Sequence, residues 1–186
     1  MRILTDTDFL ITAWSGGTTT QFYIFPEDAT LAERNFDWRI SSAVVAVEES
    51  DFTFFEGYER ILIPLQGKLE LEHQAPGGIF RQQVGPFELA RFSGSWKTTG
   101  KGKLTDFNLI FLPNYNPKVH IINFPSETTA EWEEHTSVLF LQEGSCIVND
   151  QLIQAPALFV NEPKQELVVT WAAGSRIISI AMTPAD

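Results

Sequence analysis

The chain has 186 residues and a formal net charge of −11 at pH 7, from 13 Lys and Arg and 24 Asp and Glu. This excess of acid argues against a nucleic-acid backbone or an anionic membrane surface as the main partner, because both attract positive charge. A hydrophobic content of 44 % excludes disorder and is usual for a globular protein.

The N-terminal residues 1–6 reach an acidic side chain before the apolar core of a signal peptide could form. The sequence also lacks an apolar run of the roughly 18 residues that a membrane-spanning helix needs. We therefore expect a cytoplasmic protein without a membrane partner.

Short apolar runs rich in β-branched and aromatic residues follow one another along the chain, separated by Gly, Pro, Asn and Asp. This pattern is typical of an all-β sandwich or barrel. It predicts strands from Thr20 to Met182, and brief helices over 27–34 and 128–134.

The first distinctive stretch follows Trp14 and places Gly16 and Gly17 ahead of a row of threonines that begins at Thr18. Paired glycines allow a tight loop whose backbone amides and hydroxyls can hold an anion. The alternative is a simple turn that leads into the next strand. No Gly-Lys-Ser/Thr follows, so the stretch is not a P-loop.

Polar residues alternate with apolar ones on two later strands. Arg39 and Ser41 share one face of a strand over 38–47, and Asp106 and Asn108 share one face of a strand over 105–111. With Arg60, they would make a barrel interior too polar for a dry core, so the charges must pair or meet a ligand. Two interpretations stay open: one arginine pairs with Asp106 as an internal brace, or the group forms a ligand pocket.

Such a pocket favours a small anionic metabolite. The guanidinium fork matches a carboxylate, while Asn108 and Ser41 can bind an amide or formyl group. No Ser-His-Asp or Cys-His arrangement follows from the spacing, so binding is favoured over catalysis. One alternative is a metal-independent isomerase or hydrolase with Asp106 as its base. Another is an interaction protein whose aromatic residues form an oligomer interface, such as that of a homodimer.

A constant shift that places Gly67 over Gly144 also superposes the surrounding hydrophobic pattern. It predicts two similar units over 1–112 and 113–186, with a single irregular sandwich as the alternative. The stretch that ends at Gly67 has the rhythm of the first cupin motif, in which two histidines and a glutamate precede a glycine turn. Arg60 stands at the glutamate position, and Phe54 and Phe55 stand near the histidine positions.

An arginine offers no lone pair to a cation, so we expect neither a metal nor another cofactor. In the second unit, Ser137 matches Arg60, and Glu131 with Trp132 matches the phenylalanine pair. The histidines share no ligand spacing: His73 is predicted at a solvent edge, and His120 and His135 lie elsewhere. Cys146 lies in an apolar run and is predicted to fill the core.

These segments together resemble the HutD/Ves family of small double-cupin proteins. The matching motifs are the Trp-Ser-Gly-Gly-Thr-Thr-Thr-Gln stretch at 14–21, the Trp-Arg-x-Ser element at 38–41, residues 57–60, and the Asp-Phe-Asn-Leu element at 106–109. The resemblance implies an all-β bicupin: two tandem cupin-like β-barrel or jelly-roll units packed together, without a catalytic metal. It also implies binding of an intermediate such as N-formylglutamate, in a regulatory or accessory role in histidine utilisation or a stress response. The residues predicted to bind the ligand are Trp14, Gly16, Gly17, Thr18, Arg39, Ser41, Arg60, Asp106 and Asn108.

Overall fold

The computed structural model of the chain describes residues 1–131, 138–161 and 168–185. Throughout this described part the regular elements are strands: β1 (Arg2–Leu4), β2 (Leu10–Trp14), β3 (Gly17–Phe25), β4 (Trp38–Val45), β5 (Glu49–Asp51), β6 (Glu59–Gln66), β7 (Leu69–Ala75), β8 (Gly78–Val84), β9 (Ala90–Ser93), β10 (Lys97–Lys101), β11 (Leu104–Phe111), β12 (Lys118–Phe124), β13 (Thr128–Glu131), β14 (Val138–Glu143), β15 (Ser145–Val148), β16 (Gln151–Gln154), β17 (Ala157–Val160), β18 (Val168–Trp171) and β19 (Ser175–Ala181). The all-β class predicted from the sequence is confirmed.

The strands fall into two compact units. Leu10–Pro113 contains a six-stranded sheet in the order β2-β3-β4-β11-β6-β9 and a four-stranded sheet in the order β5-β10-β7-β8. Met1–Phe9 and Asn114–Asp186 form the other unit, with a five-stranded sheet β1-β17-β14-β19-β12 and a four-stranded sheet β13-β18-β15-β16. The first nine residues therefore belong to the C-terminal unit, because β1 pairs antiparallel with β17. The sequence pattern predicted them in the N-terminal unit, 1–112.

The two units share one strand order. The run β4-β11-β6-β9 corresponds to β12-β19-β14-β17, and β5-β10-β7-β8 corresponds to β13-β18-β15-β16. Gly67 and Gly144 occupy the same turn in each, with φ of 87° and 86°. This left-handed backbone favours glycine, and a Cβ at Gly67 would lie 2.6 Å from the Lys103 carbonyl oxygen. The repeated sequence pattern thus coincides with a repeated topology.

The helix predicted over 27–34 is wrong. The helix predicted over 128–134 is also wrong over Thr128–Glu131, which is the strand β13, and its remaining residues lie outside the described ranges. Residues 26–37 form a loop of turns instead. One turn closes where the Arg34 amide donates to the Thr30 carbonyl (3.1 Å), but Arg34 then takes a φ of 52° and ends it. The Asn35 side chain also accepts from the Thr30 amide (2.9 Å), in competition with helical bonding.

Tyr58 anchors the loop 26–37. The Tyr58 hydroxyl lies 2.8 Å from the backbone carbonyl oxygens of Arg34 and Phe36 and donates to them. Its ring packs on Phe36 with centroids 4.7 Å apart, and Phe55 completes the cluster. A buried core therefore fixes a segment that has no regular structure of its own.

Cys146 is 1 % exposed and packs in the core of the C-terminal unit beside Trp171 and Val148. Burial raises the pKa of its thiol to about 12, so the thiolate is not formed near neutral pH. The prediction that Cys146 fills the core is confirmed.

His73 is fully buried, and its predicted place at a solvent edge is wrong. The hairpin partner β8 and the segment before β10 cover it, with Phe80 and Trp96 rings at centroid distances of 4.6 and 5.9 Å. Its Nδ1 lies 2.9 Å from Thr98 Oγ1, which itself donates to the Trp96 carbonyl; its Nε2 lies 3.2 Å from the Gln82 amide nitrogen. These partners fit a neutral imidazole that donates from Nδ1 and accepts at Nε2.

Burial lowers the pKa of His73, so the unfolded chain binds a proton there more readily than the folded one. We expect the wild-type protein to lose stability relative to His73→Gln as the pH falls through the ordinary histidine pKa of about 6.5. Urea unfolding at about pH 7.5 and about pH 5.5 measures this difference. The exposed His120 supplies the control, His120→Gln. The same pH response in all three proteins would contradict the assignment.

Candidate ligand-binding site

A cavity of about 700 Å³ opens in the Leu10–Pro113 unit. Strands β3, β4, β6 and β11 supply its deep end, and β2, the loop 26–37 and residues 50–53 supply its outer part. We call the buried polar group at the deep end the polar floor: Arg39, Ser41, Arg60, Asp106 and Asn108. Each of these five side chains is 5 % exposed or less.

Strand register brings these residues side by side. Ser41 pairs with Asn108 across β4 and β11, and Arg39 pairs with Ile110 in the same ladder. Ile110 in turn pairs with Arg60 on β6, so both arginines lie in one row of the sheet. Because side chains alternate along a strand, Phe107 and Leu109 face away from the cavity and are buried. The predicted faces of β4 and β11 are therefore confirmed.

The Arg39 side chain is held by neutral oxygen atoms. Its Nε donates to Gln21 Oε1 (2.6 Å) and its Nη1 donates to Ser41 Oγ (2.9 Å). Gln21 reaches this position because it pairs with Ser41 on the neighbouring strand. The guanidinium thus keeps its full charge beside the cavity.

Arg60 is held by an amide and by aromatic rings. Its Nη2 donates to Asn108 Oδ1 (3.0 Å), and its Nη1 lies 3.4 Å from the Thr53 carbonyl oxygen. The Arg60 Cζ lies 4.8 Å from the Phe52 ring centroid and 5.4 Å from that of Phe92, within the range of cation–π attraction. Within the described residues, Arg60 Nε is a buried side-chain nitrogen without a hydrogen-bond partner.

Asp106 is linked to Arg60 through Asn108. The Asn108 amide nitrogen donates to Asp106 Oδ1 (2.7 Å), and the same oxygen accepts from the Ala43 backbone amide (2.9 Å). Among the described residues, no ion pair within 4.0 Å joins either arginine to Asp106. Arg60 and Asp106 are therefore connected through the neutral amide of Asn108, and not by the direct ion pair that the sequence allowed.

Burial sets the electrostatics of the polar floor. It lowers the pKa values of Arg39 and Arg60 to about 10, so both stay charged near neutral pH; Asp106 opposes this shift at Arg60 and Arg39 adds to it. Burial also raises the pKa of Asp106 to about 6, although the Ala43 amide, Arg60 and Asn108 favour its ionised form. The polar floor therefore carries a net positive charge at neutral pH.

Of the residues predicted to bind a ligand in the stretch 14–18, only Trp14 lines the cavity. Ser15 and Gly16 form a two-residue turn between Trp14 and Gly17, which pair in the β2–β3 hairpin. Trp14 lines the outer cavity, whereas Gly16, Gly17 and Thr18 are absent from its lining. This segment is therefore a simple turn, which was the alternative to an anion-binding loop.

Other lining residues were missed by the sequence argument. Thr19 and Gln21 on β3 line the cavity, and Thr18 lies on the opposite face because side chains alternate. Continuing the period of two along the threonine row would have found both. Phe52, Phe55 and the loop residue Leu31 also line the cavity, but their positions depend on tertiary packing.

In the second unit, the position that matches Arg60 is Ser137, and Trp132 belongs to the pair that matches the phenylalanines. Both residues lie outside the described ranges, and so does His135. Of the phenylalanine pair in the cupin-like motif, Phe55 is buried with its ring centroid 6.0 Å from Arg60 Cζ, while Phe54 is 46 % exposed.

Comparison with known proteins agrees with these motifs. Residues 6–178 match the HutD family. The chain belongs to this family. Over 84 residues it is 36 % identical to the uncharacterized 21.2 kDa protein in the hutC 3′ region of Pseudomonas putida, a match that covers 42 % of this chain and 41 % of that protein. The chain thus matches less than half the length of this relative.

Solved structures share the fold of this HutD-family chain. A conserved protein of unknown function from Pseudomonas aeruginosa has a TM-score of 0.76 at 22 % identity, covering 100 % of this chain and 99 % of its own. HutD from Pseudomonas fluorescens has a TM-score of 0.73 at 20 % identity, with 98 % of both chains covered. Bacterial pirin YhhW from Escherichia coli, a cupin-fold protein, has a TM-score of 0.70 at 10 % identity, with 99 % of both chains covered. The chain therefore has a cupin-type fold.

The pirin structure is a complex with nickel(II). In this chain Arg60 stands at the position of the motif glutamate and lies against the Phe52 ring, and neither of these groups offers a lone pair to a cation. Among the described residues, no three His, Cys, Asp or Glu side chains cluster as a metal site. That part of the chain also contains no helix long and apolar enough to cross a membrane.

The raised pKa of Asp106 gives the folded chain a proton that the unfolded chain releases between about pH 6 and pH 3.8. We expect the stability of the wild type to increase relative to Asp106→Asn as the pH falls from about 7.5 to about 4, by up to roughly 3 kcal/mol. The asparagine keeps an oxygen for the Ala43 and Asn108 donors. Urea unfolding of both proteins across this range measures the difference. A difference that stays constant with pH would contradict the raised pKa.

Proposed function

We propose that this protein binds a small carboxylate or formyl-amino-acid metabolite, similar to N-formylglutamate, at the polar floor of the cavity. The proposed role is regulatory or accessory, in amino-acid utilisation or a stress response, and the proposed binding needs no metal. Histidine utilisation is the pathway we propose, because the chain belongs to the HutD family and its Pseudomonas putida relative is encoded in the hutC 3′ region.

The observation that carries the proposal is a pair of buried guanidiniums at the end of an open cavity. Arg39 and Arg60 are each 5 % exposed and, among the described residues, neither forms an ion pair with a carboxylate. A buried charge that no carboxylate contacts directly is incompletely compensated, and a carboxylate ligand would stabilise it while accepting charge-assisted hydrogen bonds. Among the described residues the buried Arg60 Nε also has no hydrogen-bond partner, so the protein satisfies this guanidinium only in part.

The neutral polar groups of the floor favour a ligand that also carries an amide. Asp106 has an acceptor oxygen beyond the Oδ1 that receives the Ala43 and Asn108 donors, and it can accept an amide N–H. The Ser41 hydroxyl and the Gln21 amide lie beside Arg39 and can meet a formyl or side-chain oxygen. A formyl-amino acid combines both chemistries in one small molecule.

Calorimetric titration with N-formylglutamate tests the proposal, with succinate and glutamate as further probes. We expect Arg60→Met to weaken binding by about 10- to 100-fold, because a hydrogen bond to a charged group contributes about 1.5–3 kcal/mol. For the wild type, ligand at a hundred times its Kd should stabilise the fold by about 2.7 kcal/mol in a thermal-shift experiment.

Stability of the ligand-free variant separates a binding residue from a structural brace. Removing one partner of a buried ion pair costs about 3–5 kcal/mol, whereas we expect Arg60→Met to lower the free energy of unfolding by less than about 2 kcal/mol. Arg91→Met is the matched control, since Arg91 lies on the neighbouring strand β9 with its side chain 49 % exposed and outside the cavity. Equal binding by wild type and Arg60→Met, or no binding of any of these carboxylates, would refute the proposal.

A metal-independent isomerase or hydrolase is the second candidate function. The observation that favours it is Asp106, a buried carboxyl at the cavity whose pKa of about 6 allows it to accept a proton near neutral pH. Incubation with N-formylglutamate in deuterated buffer, followed by NMR, should then show hydrolysis or deuterium incorporation that persists with a chelator and stops in Asp106→Asn. Binding without any chemical change in the probe would exclude this activity on it.

A further inference from the structure

Large apolar side chains surround the outer part of the cavity and remain in contact with solvent. We call them the apolar rim: Leu10, 61 % exposed, Trp14, 38 % exposed, and Leu31, 41 % exposed. Leu10 and Trp14 stand on β2, and Leu31 stands on the loop 26–37. Exposed apolar surface next to a polar pocket is a place where the apolar part of a ligand can bind.

Trp14 is held at the rim by the turn that follows it. A Cβ at Gly16 would collide with the six-membered ring of the Trp14 indole, so this ring lies directly against the Gly16 backbone. The Gly16 carbonyl accepts a hydrogen bond from the Ala46 amide (2.8 Å), which fixes the turn next to the end of β4. The indole is therefore preorganised for contact with a ligand.

The cavity is larger than a formyl-amino acid. A water molecule takes about 30 Å³ in the liquid. Even at that volume for each non-hydrogen atom, a formyl-amino acid of about a dozen such atoms fills no more than roughly half of the 700 Å³. A ligand that reaches from the polar floor to the apolar rim must carry an additional group.

Charge at the outer cavity shows which kind of group fits. Glu27 and Asp51 line this part together with Arg34, so its formal charge is negative. Arg34 lies over the Phe55 ring, with its Cζ 5.2 Å from the centroid. A second anionic group would meet the two carboxylates, whereas a neutral apolar or aromatic group would cover Leu10, Trp14 and Leu31.

We propose that the ligand is an amphipathic carboxylate of the N-acyl-amino-acid class, with its carboxylate and amide on the polar floor and a neutral apolar or aromatic acyl group against the apolar rim. This inference rests on the proposed function and extends its carboxylate ligands to N-acyl-amino acids whose acyl group is larger than formyl. Trp14 supplies the flat surface for that group, and Gly16 positions Trp14.

Calorimetric titration with N-formyl-, N-hexanoyl- and N-benzoylglutamate tests this inference. Each fully buried methylene is worth about fourfold in Kd, so we expect the two larger acyl groups to bind wild-type protein at least about tenfold more tightly than formyl. Trp14→Ala should remove most of this gain, so that the three probes bind the variant with Kd values within about threefold of one another. Gly16→Ala should have the same selective effect, because it displaces the indole without removing it.

Ile11→Ala is the matched control for Trp14→Ala. Ile11 is 66 % exposed on the same strand but lies outside the cavity lining, so its loss should change no Kd in the series. Equal Kd values for the formyl and benzoyl probes in wild type would overturn this inference and leave the proposed function intact. An equal loss in Ile11→Ala and Trp14→Ala would also overturn it. Absence of binding by all three probes would overturn both proposals.

Discussion

Burial of two like charges in one β-sheet unit constrains the rest of this site. Arg39 and Arg60 occupy one row of the six-stranded sheet, and no carboxylate among the described residues lies directly against them. The surroundings therefore have to stabilise each guanidinium by weaker means: amide and hydroxyl oxygens for Arg39, and an amide with three aromatic rings for Arg60. Neutral partners accept the hydrogen bonds of the guanidiniums and leave their positive potential available to a bound anion.

The same constraint explains what has become of the cupin-like motif. A cation-binding site needs lone pairs, but the position of the motif glutamate is occupied by Arg60, whose ring partners include Phe55 from the histidine region. The aromatic faces of Phe52, Phe55 and Phe92 stabilise the Arg60 guanidinium, and the positive charge of this guanidinium favours an anion over a cation.

The fold and the polar floor were largely predictable, and the connections within the floor were not. Alternation in β4 and β11 is strong enough to assign Arg39, Ser41, Asp106 and Asn108 to one interior face. Which of them touch depends on strand register, including the irregularity between Thr105 and Asp106 in the β11–β6 ladder, and that register is set by the whole sheet. The loop 26–37 and the burial of His73 likewise depend on Tyr58, Phe80 and Trp96, which are distant in sequence.

The shared strand order has a consequence for how the chain tolerates change. In the C-terminal unit β19 takes the place of β11: Ser179, paired with Leu139, matches Asn108, paired with Leu62, and the buried Ile177 stands where β11 carries Asp106. The same place in the ladder thus holds a carboxylate in one unit and an isoleucine in the other, so main-chain pairing tolerates a change from charged to apolar at that position.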